Sequence, residues 1–159
     1  MKRFDYMISL GLAIVIGGCA LRTTQANTQA KSQAEHMAPA QVGIVNHTGD
    51  YIYSASVDGF GGGSMARWGA GMANMCCTSI PEVWRPGMKV SVRWNMPLGV
   101  KDVIKEKMVE VEKYDRPGDI YLNFFPNDEV RVVISRNGPR SSDYPIRHSG
   151  NPNGPQSSN

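Results

Sequence analysis

Three cysteines hold the most reactive side chains in this sequence, and their neighbours give them different work. Cys19 follows Gly17 and Gly18 at the end of an apolar run over residues 7–16, broken only by Ser9 and Gly11 and preceded by Lys2 and Arg3. A basic start, a short apolar stretch and small residues before the cut describe a secretory signal. A cysteine directly after the small residues makes it a lipoprotein signal: the thiol carries a diacylglycerol, and the glycines let a peptidase close around the backbone. The run is too short to span a bilayer, which takes about 20 residues. Residues 1–18 are therefore expected to be removed. Cys19 would then hold the mature chain to a membrane through acyl chains, each buried methylene contributing about 0.8 kcal/mol. The alternative is an ordinary secreted segment with a chance cysteine. Ala20, where Asp is absent, points in a Gram-negative cell to the outer membrane and its periplasmic face.

Cys76 and Cys77 are adjacent, and neighbours on a strand point to opposite faces. Three readings stay open: a vicinal disulfide stiffening the end of the glycine-rich stretch before it, one buried thiol beside one reactive thiol, or two reduced cysteines with one in the core. There is no Cys-x-x-Cys and no histidine at ligand spacing, so neither a metal nor another cofactor is expected. His36 and His148 fall in the terminal segments, and His47 sits in a turn, where a solvated role is the ordinary one. Glu110, Glu112, Asp115 and Asp119 are near enough in sequence for paired-carboxylate chemistry, yet Glu110 and Glu112 read as the solvent side of a strand. No Gly-x-Ser-x-Gly is present, and the glycines of residues 59–71 lack the Gly-Lys-Ser/Thr ending of a phosphate loop. The expectation is a binding protein and not an enzyme. A formal charge of +3 with interspersed signs offers no basic block for nucleic acid.

The elements that must position these residues are short and strand-like. Residues 19–40 are mostly Ala, Gln, Thr, Asn, Lys and Ser and read as a flexible tether; a helix over 28–37 would have only alanine on its apolar side, and Pro39 would end it. The folded domain is expected over 41–147. Val42, Ile44 and Val45 form a strand, residues 46–50 a turn, and residues 51–58 return as a hairpin partner with Tyr51, Tyr53, Ala55 and Val57 on one face. Residues 59–75 hold Gly59, Gly61, Gly62, Gly63, Gly69 and Gly71 and read as a long loop. Met88, Val90, Val92 and Trp94 alternate with Lys89, Ser91 and Arg93, the clearest strand in the chain. Residues 101–107 suggest a helical turn or two. Val109 and Val111, then Ile120, Leu122 and Phe124, then Val130, Val132 and Ile134 repeat the alternation. Six or seven short strands at this spacing predict an all-β antiparallel sandwich. Residues 148–159 read as a disordered tail, with Tyr144 and Ile146 packing on the domain just before it. Met37 lies immediately ahead of the domain, so internal initiation there would give the fold without its signal.

Three residues are candidate partner contacts: Arg67 and Trp68 in the glycine-rich stretch and Trp84 before the Pro86-Gly87 turn. For Trp68, an exposed anchor and a lid folded back on the core are equally open readings. The block Cys-Cys-x-x-x-Pro-x-x-Trp-x-Pro-Gly-x-x-Val-x-Val-x-Trp from Cys76 to Trp94 resembles a family of small bacterial lipoproteins that carry a domain of unknown function. The likeness extends to the Asn46 turn, Val57-Asp58-Gly59, Tyr114 with Pro117-Gly118, Phe124-x-Pro126 with Val130, and Tyr144-Pro145. Members of that family tend to be found beside phospholipase effectors of type VI secretion systems. The resemblance implies an immunity protein that binds and neutralises such a phospholipase. A structural or accessory envelope lipoprotein is the alternative.

Overall fold

The computed structural model describes residues 36–148 and 150–154. The leader, Cys19 and most of the expected tether lie outside the described residues. Eight strands follow in order: β1 (Met37–Asn46), β2 (Ile52–Val57), β3 (Phe60–Met65), β4 (Met75–Pro81), β5 (Lys89–Asn95), β6 (Ile104–Glu110), β7 (Asp119–Phe124) and β8 (Val130–Ser135), with a single 3-10 turn at Pro126–Asp128. They form two four-stranded sheets, ordered β4-β1-β7-β8 and β3-β2-β5-β6. The second sheet is antiparallel throughout, whereas β1 and β7 in the first run parallel, with Val42 opposite Ile120. The all-β sandwich expected from the alternation is thus present, with eight strands and one parallel pair.

The core fills the space between the sheets. Val42, Ile44, Ile120, Leu122, Phe124 and Val132 enter from the first sheet, and Ile52, Ala55, Val57, Val92 and Trp94 from the second. The rings of Trp94 and Phe124 meet across the gap, 5.6 Å apart and tilted. Each side chain of this size contributes about 1.5–3 kcal/mol by leaving water. A second cluster lies on the other side of the first sheet: Val45, Tyr121 and Val133 are covered by Tyr144 and Ile146 from the C-terminal segment. The expected docking of Tyr144 and Ile146 is therefore seen.

Several local expectations are corrected. Residues 42–45 and 51–58 are not a hairpin, because β1 pairs with β4 and β7 while β2 pairs with β3 and β5. The turn between them crosses the core, and Ile44 and Ile52 point inward from opposite sheets. A register shift between Ile52 and Ala55 breaks the strict alternation of β2, so Ile52 is buried while Tyr51 and Tyr53 are exposed.

The supposed glycine loop is half strand. Asp58 and Gly59 take positive φ of 48° and 82°, as the two central residues of a tight hairpin turn require, and β3 returns along β2. Glycine suits β3 because it packs beside β4: a Cβ on Gly63 would stand 2.0 Å from the Met75 sulfur.

Residues 101–107 mostly belong to β6 and not to a helix. Their register sets Glu106 opposite Arg93 and, further along, Glu110 opposite Lys89, pairs that favour the ladder. The domain also begins earlier than residue 41. Met37 pairs with Pro81, and Pro39 lies before β7 joins, where β1 has β4 alone as a ladder neighbour, a position that tolerates proline.

Candidate functional site

The end of the sandwich where β1 finishes gathers the chain's buried polar groups. Asn46 is fully buried, and its side chain organises the turn. Its Oδ1 accepts from the Thr48 N–H at 2.9 Å and from the Thr48 hydroxyl at 2.7 Å. Its Nδ2 donates to the carbonyls of Asp50 at 2.7 Å and Ala66 at 3.0 Å. Asn is suited to this because its short amide can bond backbone groups two residues on and still reach a second loop.

That second loop, residues 66–71, is laced to β1. Asn46 N–H donates to Gly69 O at 2.7 Å, Gly71 N–H to Ile44 O at 3.1 Å, and Trp68 N–H to Thr48 O at 3.0 Å. Trp68 is thereby held at a φ of +54°, a region that non-glycine residues seldom enter unless their surroundings hold them there. Its indole lies over Gly49, where a Cβ would come within 3.6 Å of the ring. Trp68 therefore combines the two readings left open for it: the ring folds back on the turn yet remains partly exposed, with the exposed Arg67 beside it.

His47 occupies the inner side of this end. Its N–H donates to Phe124 O at 2.8 Å, and its ring stacks on Phe125 with centroids 4.3 Å apart. Its Nε2 faces Asn123 Oδ1 at 3.3 Å. Burial disfavours the imidazolium and lowers its pKa below the ordinary 6.5, against the opposing pull of Asn123. The neutral ring with Nε2–H is the form that satisfies Asn123.

Asn123 Nδ2 donates in turn to the Tyr144 hydroxyl at 2.8 Å. Burial, the largest cause, raises the Tyr144 pKa, so the phenol keeps its proton. His148, assigned from composition to a disordered tail, instead reaches this cluster. Its Nε2–H donates to Trp68 O at 3.0 Å, and its ring lies 5.0 Å from that of His47. Its Nδ1 is buried without a hydrogen-bond partner.

These residues form a lock that ties three segments together: the turn after β1, the Trp68 loop and the C-terminal strap. His47 is thus a buried packing group and not the solvated turn residue expected. The sequence held one hint of it, the Tyr144 and Ile146 pair; nothing in the Gly-, Pro- and Ser-rich surroundings of His148 marked that residue.

The remaining candidates are spread over the molecule. Trp84 is partly buried against the core, and its indole N–H donates to Val111 O at 3.0 Å. That commits Trp84 to closing the sandwich. Cys76 and Cys77 lie on the edge strand β4, both exposed and joined as a vicinal disulfide across a cis peptide. The reading with one thiol in the core is not met.

The carboxylates disperse. Glu112 pairs with Arg131 at 2.5 Å, Glu110 faces Lys89, and Asp119 accepts the Gln41 N–H at 3.0 Å. Asp115 lies in the connection before β7. Among the described residues no three His, Cys, Asp or Glu side chains gather as a metal site, and no helix is long and apolar enough to cross a membrane.

No curated protein and no solved structure matches the chain. Residues 45–132, more than half of the sequence and the stretch from the end of β1 into β8, match a family described as protein of unknown function (DUF3304), and the chain belongs to that family.

Proposed function

We propose that this protein is a lipid-anchored immunity protein of the cell envelope that binds and occludes a phospholipase effector of a type VI secretion system. In this reading Cys19 carries the acyl chains, and the mature protein stands on the periplasmic face of the outer membrane, beside the lipid that the effector would attack. Anchoring raises its effective concentration where protection is needed.

The observation that best supports a binding role is the way the loop ends are fixed before any partner arrives. Asn46, His47 and His148 hold Trp68 and Arg67 in a single backbone arrangement through bonds at 2.7–3.3 Å. A preordered surface loses little conformational freedom on association.

The test is co-expression with the phospholipase encoded nearest the gene, directed to the periplasm. Cells making this protein are expected to survive, and the two proteins to co-purify. Continued killing, together with no binding at micromolar concentration, would remove the proposal.

A further inference from the structure

We infer that the β5–β6 hairpin is the element that enters the partner, with Leu98 and Val100 at its tip seated in an apolar cleft of the phospholipase. The inference rests on the inhibitor reading above and names the surface that performs it. Leu98 and Val100 are 72% and 106% exposed. Ile104 and Met108, 50% and 59% exposed, continue the apolar surface along β6. Register sets Ile104 opposite Asn95 and Met108 opposite Ser91, so both share the outer side of the sheet, away from the inward Val109. Single exposed aliphatic residues are ordinary, but four on one hairpin mark an interaction surface.

The tip is rigid. Leu98 and Lys101 exchange both backbone hydrogen bonds, at 2.9 and 3.1 Å, and Gly99 takes a φ of +61° at the first central position of the turn, where such turns favour glycine. Asn95, itself buried, staples the base: its Nδ2 donates to Asp102 Oδ1 at 2.7 Å and its Oδ1 accepts the Val103 N–H at 3.0 Å. Met96 N–H adds a bond to Val103 O at 3.1 Å. The polar groups of the hairpin are thus committed internally, while its aliphatic side chains point to solvent.

The pattern of charge selects a protein as occupant. Glu106 and Glu110 alternate with Ile104 and Met108 along β6, Arg93 and Lys89 stand opposite them, and Asp102 adjoins the tip. An anionic lipid surface would meet these carboxylates with repulsion. A folded partner can match each sign in turn.

The topology places the tip suitably. β2 starts from the His47 turn, and β5 runs antiparallel to β2. The hairpin therefore shares the end that carries Trp68 and lies at the end opposite Met37, where the chain enters from its N-terminal segment.

The mature full-length protein carrying L98D and V100D together tests this, by calorimetric titration against the neighbouring phospholipase. Buried aliphatic anchors at an interface centre predict at least about a 30-fold loss of affinity. M108K, on the sheet and away from the turn, is expected to weaken binding about 10-fold without touching the hairpin's hydrogen bonds. An unchanged thermal midpoint in both variants ties the loss to the surface. Affinity within about threefold of wild type in both variants would overturn the inference and leave the inhibitor reading standing. So would a wild-type dimer, or wild-type binding to anionic vesicles, that L98D/V100D abolishes while phospholipase binding persists. Failure of the wild-type protein to bind the phospholipase would overturn the inhibitor reading, and this inference with it.

Discussion

The two sheets bury their faces differently. The first, β4-β1-β7-β8, is covered on both sides: the core lies on one, and on the other Val45, Tyr121 and Val133 lie beneath Tyr144 and Ile146. The second, β3-β2-β5-β6, has the same core on its inner side and serines and charged residues on its outer one, as the Ser56, Arg93 and Glu106 row shows. A sheet covered twice must be apolar at nearly every position, whereas a sheet wetted on one side alternates. β7 is buried from Ile120 through Phe124, while β5 alternates through Val92, Arg93 and Trp94. The first sheet therefore serves as the rigid base, and the second has an outer surface available for contact.

The sharpest way to break this contrast is at the shared core. Phe124→Ala removes the ring that meets Trp94 across the sandwich, and about 3–5 kcal/mol of stability should go with it, measured by urea unfolding. A loss under about 1 kcal/mol would mean that the sheets are not joined as described.

A smaller change isolates the extra cover of the first sheet. Tyr144→Phe keeps the ring but deletes the acceptor of the Asn123 amide, a buried group, at an expected cost of about 1–3 kcal/mol. Ser91→Ala deletes a hydrogen bond to Glu106 on the open side of the second sheet, 2.6 Å long and exposed, and should change stability by under about 0.5 kcal/mol. Equal effects would erase the distinction between the two outer faces.

The mildest effect is on acid sensitivity. Burial lowers the His47 pKa in the folded chain below the ordinary 6.5. As pH falls through about 6.5 the unfolded chain takes up the proton first. Stability then declines until the lower folded value is passed. His47→Gln should flatten that part of the curve between pH 7 and 5; a wild-type slope retained in the variant would count against a buried neutral His47.

How far the sequence could be read follows the same division. The alternation of Val90, Val92 and Trp94 exposed β5 directly, because one face is wet. β6 was harder to read: as an edge strand it carries Lys105, Glu106 and Lys107 in a row, and charge without alternation imitates a helix surface. The Asp58-Gly59 turn was legible in principle, since Asp-Gly between strand residues is a strong hairpin signal, but the glycines after it concealed β3. The parallel pairing of β1 with β7 joins Val42 to Ile120, far apart in the chain, and no local pattern encodes such a choice. The site divides likewise. Asn46 and His47 were visible as a turn, but only the fold brings His148 to Trp68. Leu98 and Val100 were passed over because an apolar turn between polar strands carries no motif.

The C-terminal strap has a consequence for chains that are cut short. Its Tyr144, Ile146 and His148 are the last residues to complete the fold, and without them Tyr121 and Val133 would face water. A chain that ends early through a premature stop or a protease nick thus displays an uncovered apolar side and becomes a substrate for degradation. Only a finished molecule would pass for sound, which matters for any protector whose half-made copies would occupy the envelope without defending it.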